Sequence, residues 1–502
     1  MKKKGSLMFE SPTVDSRLKG SEFRKQSLTL RRELLQAQFK LAELDYPVII
    51  LVAGIEGAGK GALIHRLNEW MDPRGIETIT FWEHSDEEES HPYFWRFWRK
   101  LPPRGQIGIF LGTWYRKPAD AFLKGRMKRK EFDWHCHQIE SFEQMLHNDG
   151  ALIIKLWLHV SHDTQRRQLE ENAPEKEQIP RVAEQPDELA GNYKKRLAIA
   201  EKLILATDTE SNPWHLIEAE DRHYRDITAG NIILAAMCDR ASTGLPPEPP
   251  VRDMNTAGPG TRAQPKALDT VDLSLVLDQD TYNRKLKKYQ DRLQDLIWKA
   301  YRKKRSVVAV FEGWDAAGKG SAIRRVTGAV DPRLYRLVQF AAPSDEERAQ
   351  HYLWRFWRQL ERDGRCTFFD RSWYGRVLVE RVEQFAAERE WQRAYNEINR
   401  FEEQLVNHGS IVLKFWIHIS PEEQLSRFKE RGAEPYKRYK ITPEDWRNRE
   451  QWPAYEDAVN EMVNRTSTSH APWTLISGND KPYARIQILK TFCKTIKRAL
   501  DD

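Results

Sequence analysis

Gly313-Trp314-Asp315-Ala316-Ala317-Gly318-Lys319-Gly320 follows the apolar run Val307-Val308-Ala309-Val310-Phe311. A short β-branched strand feeding two glycines separated by four residues, then a lysine, makes a phosphate-binding loop. Gly313 and Gly318 let backbone N–H groups turn inward around an anion, and Lys319 adds a mobile positive charge. A helix expected from Ser321 aims its positive end at the same anion. The hydroxyl that commonly follows the lysine as a magnesium ligand is replaced by Gly320, and Asp315 sits inside the loop instead. A carboxylate oxygen is a suitable ligand for hard Mg²⁺.

Further along, Phe368-Phe369 runs into Asp370. An aspartate at the end of a strand beside a phosphate loop holds Mg²⁺ directly or through water. Arg371 and Arg376 flank it with planar guanidinium forks suited to phosphoryl oxygens, structural ion pairs being the alternative and a closer one for Arg376 than for Arg371. The basic stretch from Arg427 through Arg431 to Lys437 and Lys440 lies after a core strand, where phosphate-loop kinases place a lid. A lid brings cations to the transferring group and excludes water. The blander reading of such a run is a solvated face. Trp354-Arg355-Phe356-Trp357-Arg358 has the spacing of a buried helix face more than of a base-stacking platform.

Strands and helices alternate around these residues. Helical spacing over Tyr282–Lys304 leads to the strand at Val307, an extended piece spans Tyr335–Phe340, and a helix is expected around His351–Leu360. Strands at Cys366 and Ile411 and a last one at Trp473 complete the pattern. This is an α/β fold with a parallel sheet flanked by helices, whose phosphate chemistry lies at the carboxyl ends of the strands.

The whole arrangement occurs twice. Gly54-Ile55-Glu56-Gly57-Ala58-Gly59-Lys60-Gly61 repeats the loop at an offset of 259 (319 − 60). The same offset superposes Trp95-Arg96-Phe97-Trp98 on Trp354-Arg355-Phe356-Trp357, Trp114-Tyr115 on Trp373-Tyr374, and Pro213-Trp214 on Pro472-Trp473. Two tandem kinase-like phosphate-loop domains are expected, residues 1–240 and 269–502, joined by a Pro/Gly-rich linker over 241–268. The first copy has Leu111 for Asp370, Gly112 for Arg371, Glu56 for Asp315 and Ala62 for Ser321. Gln168, Asn172 and Gln178 stand for the lid cations Arg427, Arg431 and Lys437. Leucine binds no metal, so the first copy is expected to be inactive and residues 269–502 to carry turnover.

With 502 residues, 40% hydrophobic and 31% charged, the chain reads as a globular protein of two domains. No apolar run approaches the roughly 20 residues that cross a bilayer. No signal-like apolar stretch follows the basic start, and the four cysteines lack disulfide or metal spacing. A cytoplasmic location is expected. The net charge of +7 favours polyanionic partners without choosing among them.

The motifs Gly313–Gly320, Phe369-Asp370-Arg371-Ser372-Trp373-Tyr374-Gly375-Arg376, Ala471-Pro472-Trp473 and Asn479-Asp480-Lys481 resemble the second polyphosphate kinase family, in its two-domain class. The likeness spans both halves. It implies Mg²⁺-dependent phosphoryl transfer between inorganic polyphosphate and a nucleotide, AMP to ADP in two-domain members. It further implies that Asp315 and Asp370 manage Mg²⁺, that Lys319 and Arg371 bind phosphates, and that Arg431 reaches in from the lid. An ATP-dependent nucleotide kinase is the alternative enzyme, and a nucleic-acid-binding module the alternative from another class. Nucleic acid and membrane are not expected partners, and homo-oligomerisation is left open.

Overall fold

The computed structural model describes residues 17–171, 192–244, 266–434 and 441–501. Among the described residues, ten strands form two five-stranded parallel sheets. The first contains β1 (Val48–Gly54), β2 (Ile76–Thr80), β3 (Ile107–Leu111), β4 (Leu152–His159) and β5 (Trp214–Glu218), in the order β2-β3-β1-β4-β5. The second contains β6 (Val307–Gly313), β7 (Tyr335–Gln339), β8 (Cys366–Asp370), β9 (Ile411–His418) and β10 (Trp473–Ser477), in the matching order β7-β8-β6-β9-β10. The central strands β1 and β6 are buried along their apolar lengths. Continuous apolar runs are what helix-covered parallel strands require. In the first sheet Val48, Ile50 and Val52 pack with Leu63 and Leu67 of the helix behind the loop.

Several expected boundaries move. The loop helix begins at Lys319, with Gly318 as its left-handed cap. The expected helix over His351–Leu360 is a single turn, Trp354–Trp357, whose Trp354, Phe356 and Trp357 are buried. The helix Arg222–Thr243 runs into the expected linker, and residues 245–265 of that linker lie outside the described residues. The two compact units also exchange segments. His84–Arg99 belongs with the second sheet's unit and Ala349–His351 with the first sheet's. The second unit therefore extends beyond residues 269–502, and within it Trp98 stacks on Trp357 with ring centres 5.9 Å apart.

Each sheet is pinned by the same buried charge cluster. In the second, Lys414 on β9 donates to Glu402 Oε2 at 2.7 Å, to Tyr374 Oη at 2.9 Å and to the Thr466 carbonyl at 2.7 Å, using all three ammonium hydrogens. Glu402 also accepts from Trp373 Nε1 at 3.1 Å and Tyr374 Oη at 2.7 Å. In the first, Lys155 donates to Glu143 at 2.9 Å and to the Thr207 carbonyl, and Glu143 accepts from Trp114 and Tyr115. A buried pair whose remaining donors are satisfied is tolerated, but removing one partner strands a charge. Lys414→Met is expected to cost about 3–5 kcal/mol in urea unfolding of the second sheet's unit, and Lys414→Met/Glu402→Leu less than either single change. A single change costing under about 1 kcal/mol contradicts this reading.

Candidate active site

β6 delivers the chain into the loop at Gly313, whose φ of +152° and close approach to β9 exclude a side chain, since a Cβ there meets the Ile417 carbonyl at 2.6 Å. Beyond it Lys319 bends back, Nζ donating to the carbonyls of Gly313 and, at 3.3 Å, Trp314. Ser321 Oγ donates to the Gly318 carbonyl at 3.0 Å and accepts from Arg485 at 3.3 Å. Gly320 faces open space. Room exists for the missing hydroxyl, and the sequence supplies none.

Asp315 is held from several sides. Its Oδ2 accepts from Asn448 Nδ2 at 3.0 Å, its Oδ1 lies 3.9 Å from Arg371 Nη2, and its carbonyl accepts from Gln424 at 3.1 Å. Asp370 closes β8, where the register sets it beside Phe311 of β6, two residues before Gly313. Arg371 follows with a half-exposed side chain and φ of +65°. Asp315, Asp370, Arg371 and Lys319 therefore gather at the carboxyl ends of two hydrogen-bonded strands, where an α/β sheet presents its ligand site. Two carboxylates are an oxygen donor set suited to Mg²⁺, which takes one or two carboxylates and completes its shell from phosphates and water.

Two expected phosphate ligands are employed elsewhere. Arg427 is buried, and its five N–H donors go to Glu423 at 2.6 Å, the carbonyls of Ala316 and Ala317 at 3.0 and 2.9 Å, and those of Gly478 and Asn479 at 2.7 and 2.8 Å. A guanidinium has five donors, so none is left for a phosphate. Arg427 braces the loop from beneath. Arg376 pairs with Glu380 at 3.1 Å and Glu390 at 3.8 Å and lies over the Tyr352 ring, ion pairs in place of the expected phosphate contact. Arg431 is half-buried in the last turn of the helix Pro421–Ala433, close enough for its charge to act on Arg427 and Lys481. Lys437 lies outside the described residues.

Other residues here went unnoticed in the sequence. Trp314 stacks on Trp452 at 3.6 Å between ring centres, and its indole donates to His418 Nδ1 at 2.9 Å. Burial pushes the His418 imidazole down to about 4, which keeps it a neutral acceptor. Glu312, buried at the end of β6, accepts from both Ser372 N and Ser372 Oγ at 2.8 Å. Burial raises its carboxyl, against the pull of Lys319 and Arg371. The 259-residue offset carried a signal for Glu312, because its counterpart is Ala53. The same offset gives Leu189 for Asn448, in a segment otherwise legible only by its charge.

In the first copy Lys60 Nζ donates to Glu56 Oε2 at 3.0 Å and to the carbonyls of Gly54 and Ile55 at 3.1 Å. Glu56 thus neutralises the lysine within its own loop, and Lys60 holds its carboxyl below the usual range. Leu111 ends β3 in place of Asp370, and Gly112 takes the left-handed position of Arg371 with φ of +72°. Asn172 and Gln178 lie outside the described residues.

The sequence profile of polyphosphate kinase 2 matches residues 17–243 and again 276–502. The chain belongs to the polyphosphate kinase 2 family. Within that family it is 46% identical to a polyphosphate:AMP phosphotransferase of Pseudomonas aeruginosa, covering 98% of this chain and 99% of that one. It is 44% identical to a protein of the same name from Pseudomonas syringae pv. tomato (98% and 99%) and 36% identical to one from Acinetobacter johnsonii (94% and 96%). A crystal structure of a putative polyphosphate kinase 2 from Pseudomonas aeruginosa superposes with a TM-score of 0.85 at 46% identity, covering 97% of each chain. The tandem α/β architecture is thus that of a polyphosphate kinase 2, with both repeats inside the match.

Two measurements check this geometry. Arg427→Lys retains a charge but supplies three donors in place of five, so thermal melting is expected to fall, by about 1.5–3 kcal/mol for each charged hydrogen bond lost. An unchanged melting temperature removes the brace. His418 titrates lower in the folded chain than the ordinary value of 6.5. The unfolded chain then binds a proton that the folded one does not, so stability present above pH 6.5 is lost as pH falls toward 4. That loss is expected to be shallower in His418→Asn, and equal slopes in the two proteins contradict it.

Proposed function

We infer that this chain transfers the terminal phosphoryl group of inorganic polyphosphate to AMP, giving ADP, and that residues 269–502 hold the transferring site while residues 1–240 form a copy without turnover. The observation carrying this reading is the asymmetry between the repeats. Both keep the loop and its lysine, but only the second joins them to two carboxylates and an exposed arginine at the strand ends. Full-length likeness to three relatives named polyphosphate:AMP phosphotransferase supports the donor and acceptor.

The loop amides of Gly318–Ser321 and the Lys319 ammonium bind phosphoryl oxygens, and the loop helix points its positive end at them. Asp315 and Asp370 would hold Mg²⁺, which supplies charge neutralisation across the donor and acceptor phosphates. Arg371 lies beside Asp315 with half its side chain in solvent, placed to engage an incoming phosphate. Arg431, in the last turn of the helix Pro421–Ala433, brings a further cation. Phosphoryl transfer asks for little covalent help, so in-line placement and charge neutralisation account for most of the catalysis. Polyphosphate binding through such cations is screened by salt. Among the described residues, no helix is long and apolar enough to cross a membrane.

The test is a donor and acceptor matrix, polyphosphate or ATP against AMP, GMP and ADP. Polyphosphate with AMP is expected to give ADP, and ATP in its place little product. Asp370→Asn is expected to lower kcat at least about 100-fold with melting unchanged. Equal rates with ATP would point to an ordinary nucleotide kinase. Salt-sensitive single-strand binding without transfer would point to a nucleic-acid module.

A further inference from the structure

The turn after β8 is the same in both repeats, but its chemistry is not. At its second position the backbone is left-handed, with φ of +65° at Arg371 and +72° at Gly112. Glycine adopts that conformation freely, whereas a residue with a Cβ pays about 1–2 kcal/mol for it. One hydrogen bond further on, Glu312 accepts from the Ser372 amide and hydroxyl, both at 2.8 Å to the same oxygen. The first repeat has Ala53 at that place and Thr113 for the serine, and makes the turn without the carboxylate. Where the turn carries an arginine it has a buried carboxylate gripping the next residue. Where it carries glycine it has none.

We propose that Glu312 is a positioning residue for phosphoryl transfer, clamping Ser372 so that Arg371 stays left-handed and its guanidinium is presented beside Asp315. The fold does not require Glu312, because the first sheet forms with the same strand order around Ala53. Ordinary core packing does not require it either, since a buried carboxylate is a poor filler unless its hydrogen bonds are needed. The Arg371 amide donates to the Phe311 carbonyl at 3.4 Å, a long contact that holds the turn weakly. The two bonds from Ser372 to Glu312, both at 2.8 Å, are the shorter and stronger hold. Glu312 itself reaches no reacting atom in this scheme. It acts through Arg371, and in that respect the proposal rests on the phosphoryl-transfer reading above.

The experiment compares the full-length chain with Glu312→Ala, Glu312→Gln, Arg371→Gly and the Glu312→Ala/Arg371→Gly pair, by thermal melting and by AMP phosphorylation from polyphosphate. Glu312→Ala is expected to lower kcat at least about tenfold, with a smaller effect on KM for AMP. Glu312→Gln retains an oxygen that accepts both Ser372 donors and is expected to recover most of that loss. The melting shift caused by Glu312→Ala is expected to be clearly smaller in the Arg371→Gly background, where glycine needs no clamp. Equal melting shifts in the two backgrounds overturn the proposal, as does a Glu312→Gln enzyme as impaired as Glu312→Ala. If Glu312→Ala does not fold alone, the Glu312→Gln kinetics decide. If the wild type makes no ADP from polyphosphate, the functional reading fails, and the melting cycle still tests the clamp.

Discussion

The structure depends on a lysine with nowhere to put its charge except onto one glutamate. Lys414 and Glu402 are wholly buried, and the lysine's other donors reach Tyr374 and the Thr466 carbonyl. This joins β9, the helix Glu388–Asn407, the helix Trp452–Thr466 and the turn that follows β8. Desolvating two charges is unfavourable by several kcal/mol for each ion, and the interior returns this only when geometry is good and every donor is used. The cluster therefore permits little variation. Because Trp373 and Tyr374 belong both to it and to the segment carrying Asp370 and Arg371, the rigidity of the interior passes directly to the site.

The first repeat keeps that cluster nearly atom for atom, with Lys155, Glu143, Trp114, Tyr115 and Thr207. Three residues before Trp114 it has Leu111 where the second repeat has Asp370. The duplication thus separates two kinds of constraint within one chain. Residues common to both repeats hold the sheet together, and those found only in the second, Asp315, Asp370, Arg371 and Glu312, gather at the carboxyl ends of β6 and β8. Positive φ values mark the same division. Gly57 and Gly112 occupy left-handed positions that the second repeat fills with Ala316 and Arg371. An arginine kept in a conformation that glycine adopts without strain is kept for its side chain.

The neighbourhood of the loop follows a similar economy of charge. Arg427 satisfies four carbonyls that would otherwise crowd beneath the loop, two in the loop itself and two after β10. Trp314 fills the outer side, wedged between Trp452 and His418. Asn448 then sets one carboxylate oxygen of Asp315 and leaves the other facing Arg371. The loop is bent by glycine but fixed in place by side chains from helices more than 100 residues further along the chain.

The sequence by itself determined the α/β class, the duplication, the two phosphate loops and the replacement of Asp370 and Arg371 by Leu111 and Gly112 in the first repeat. Each of these is written in local spacing or in a comparison at a constant offset. The roles of individual cations were not determined in this way. Arg427 and Arg431 lie on one helix with the same charge, and only packing shows that the first is spent on loop carbonyls. The one-turn Trp354–Trp357 helix and the exchange of His84–Arg99 into the second unit were equally hidden, because burial and chain reversal depend on partners distant in sequence. Glu312 shows the limit most plainly. A glutamate at the end of an apolar strand reads as a strand ending, and tertiary structure alone brings the Ser372 amide and hydroxyl to its carboxylate.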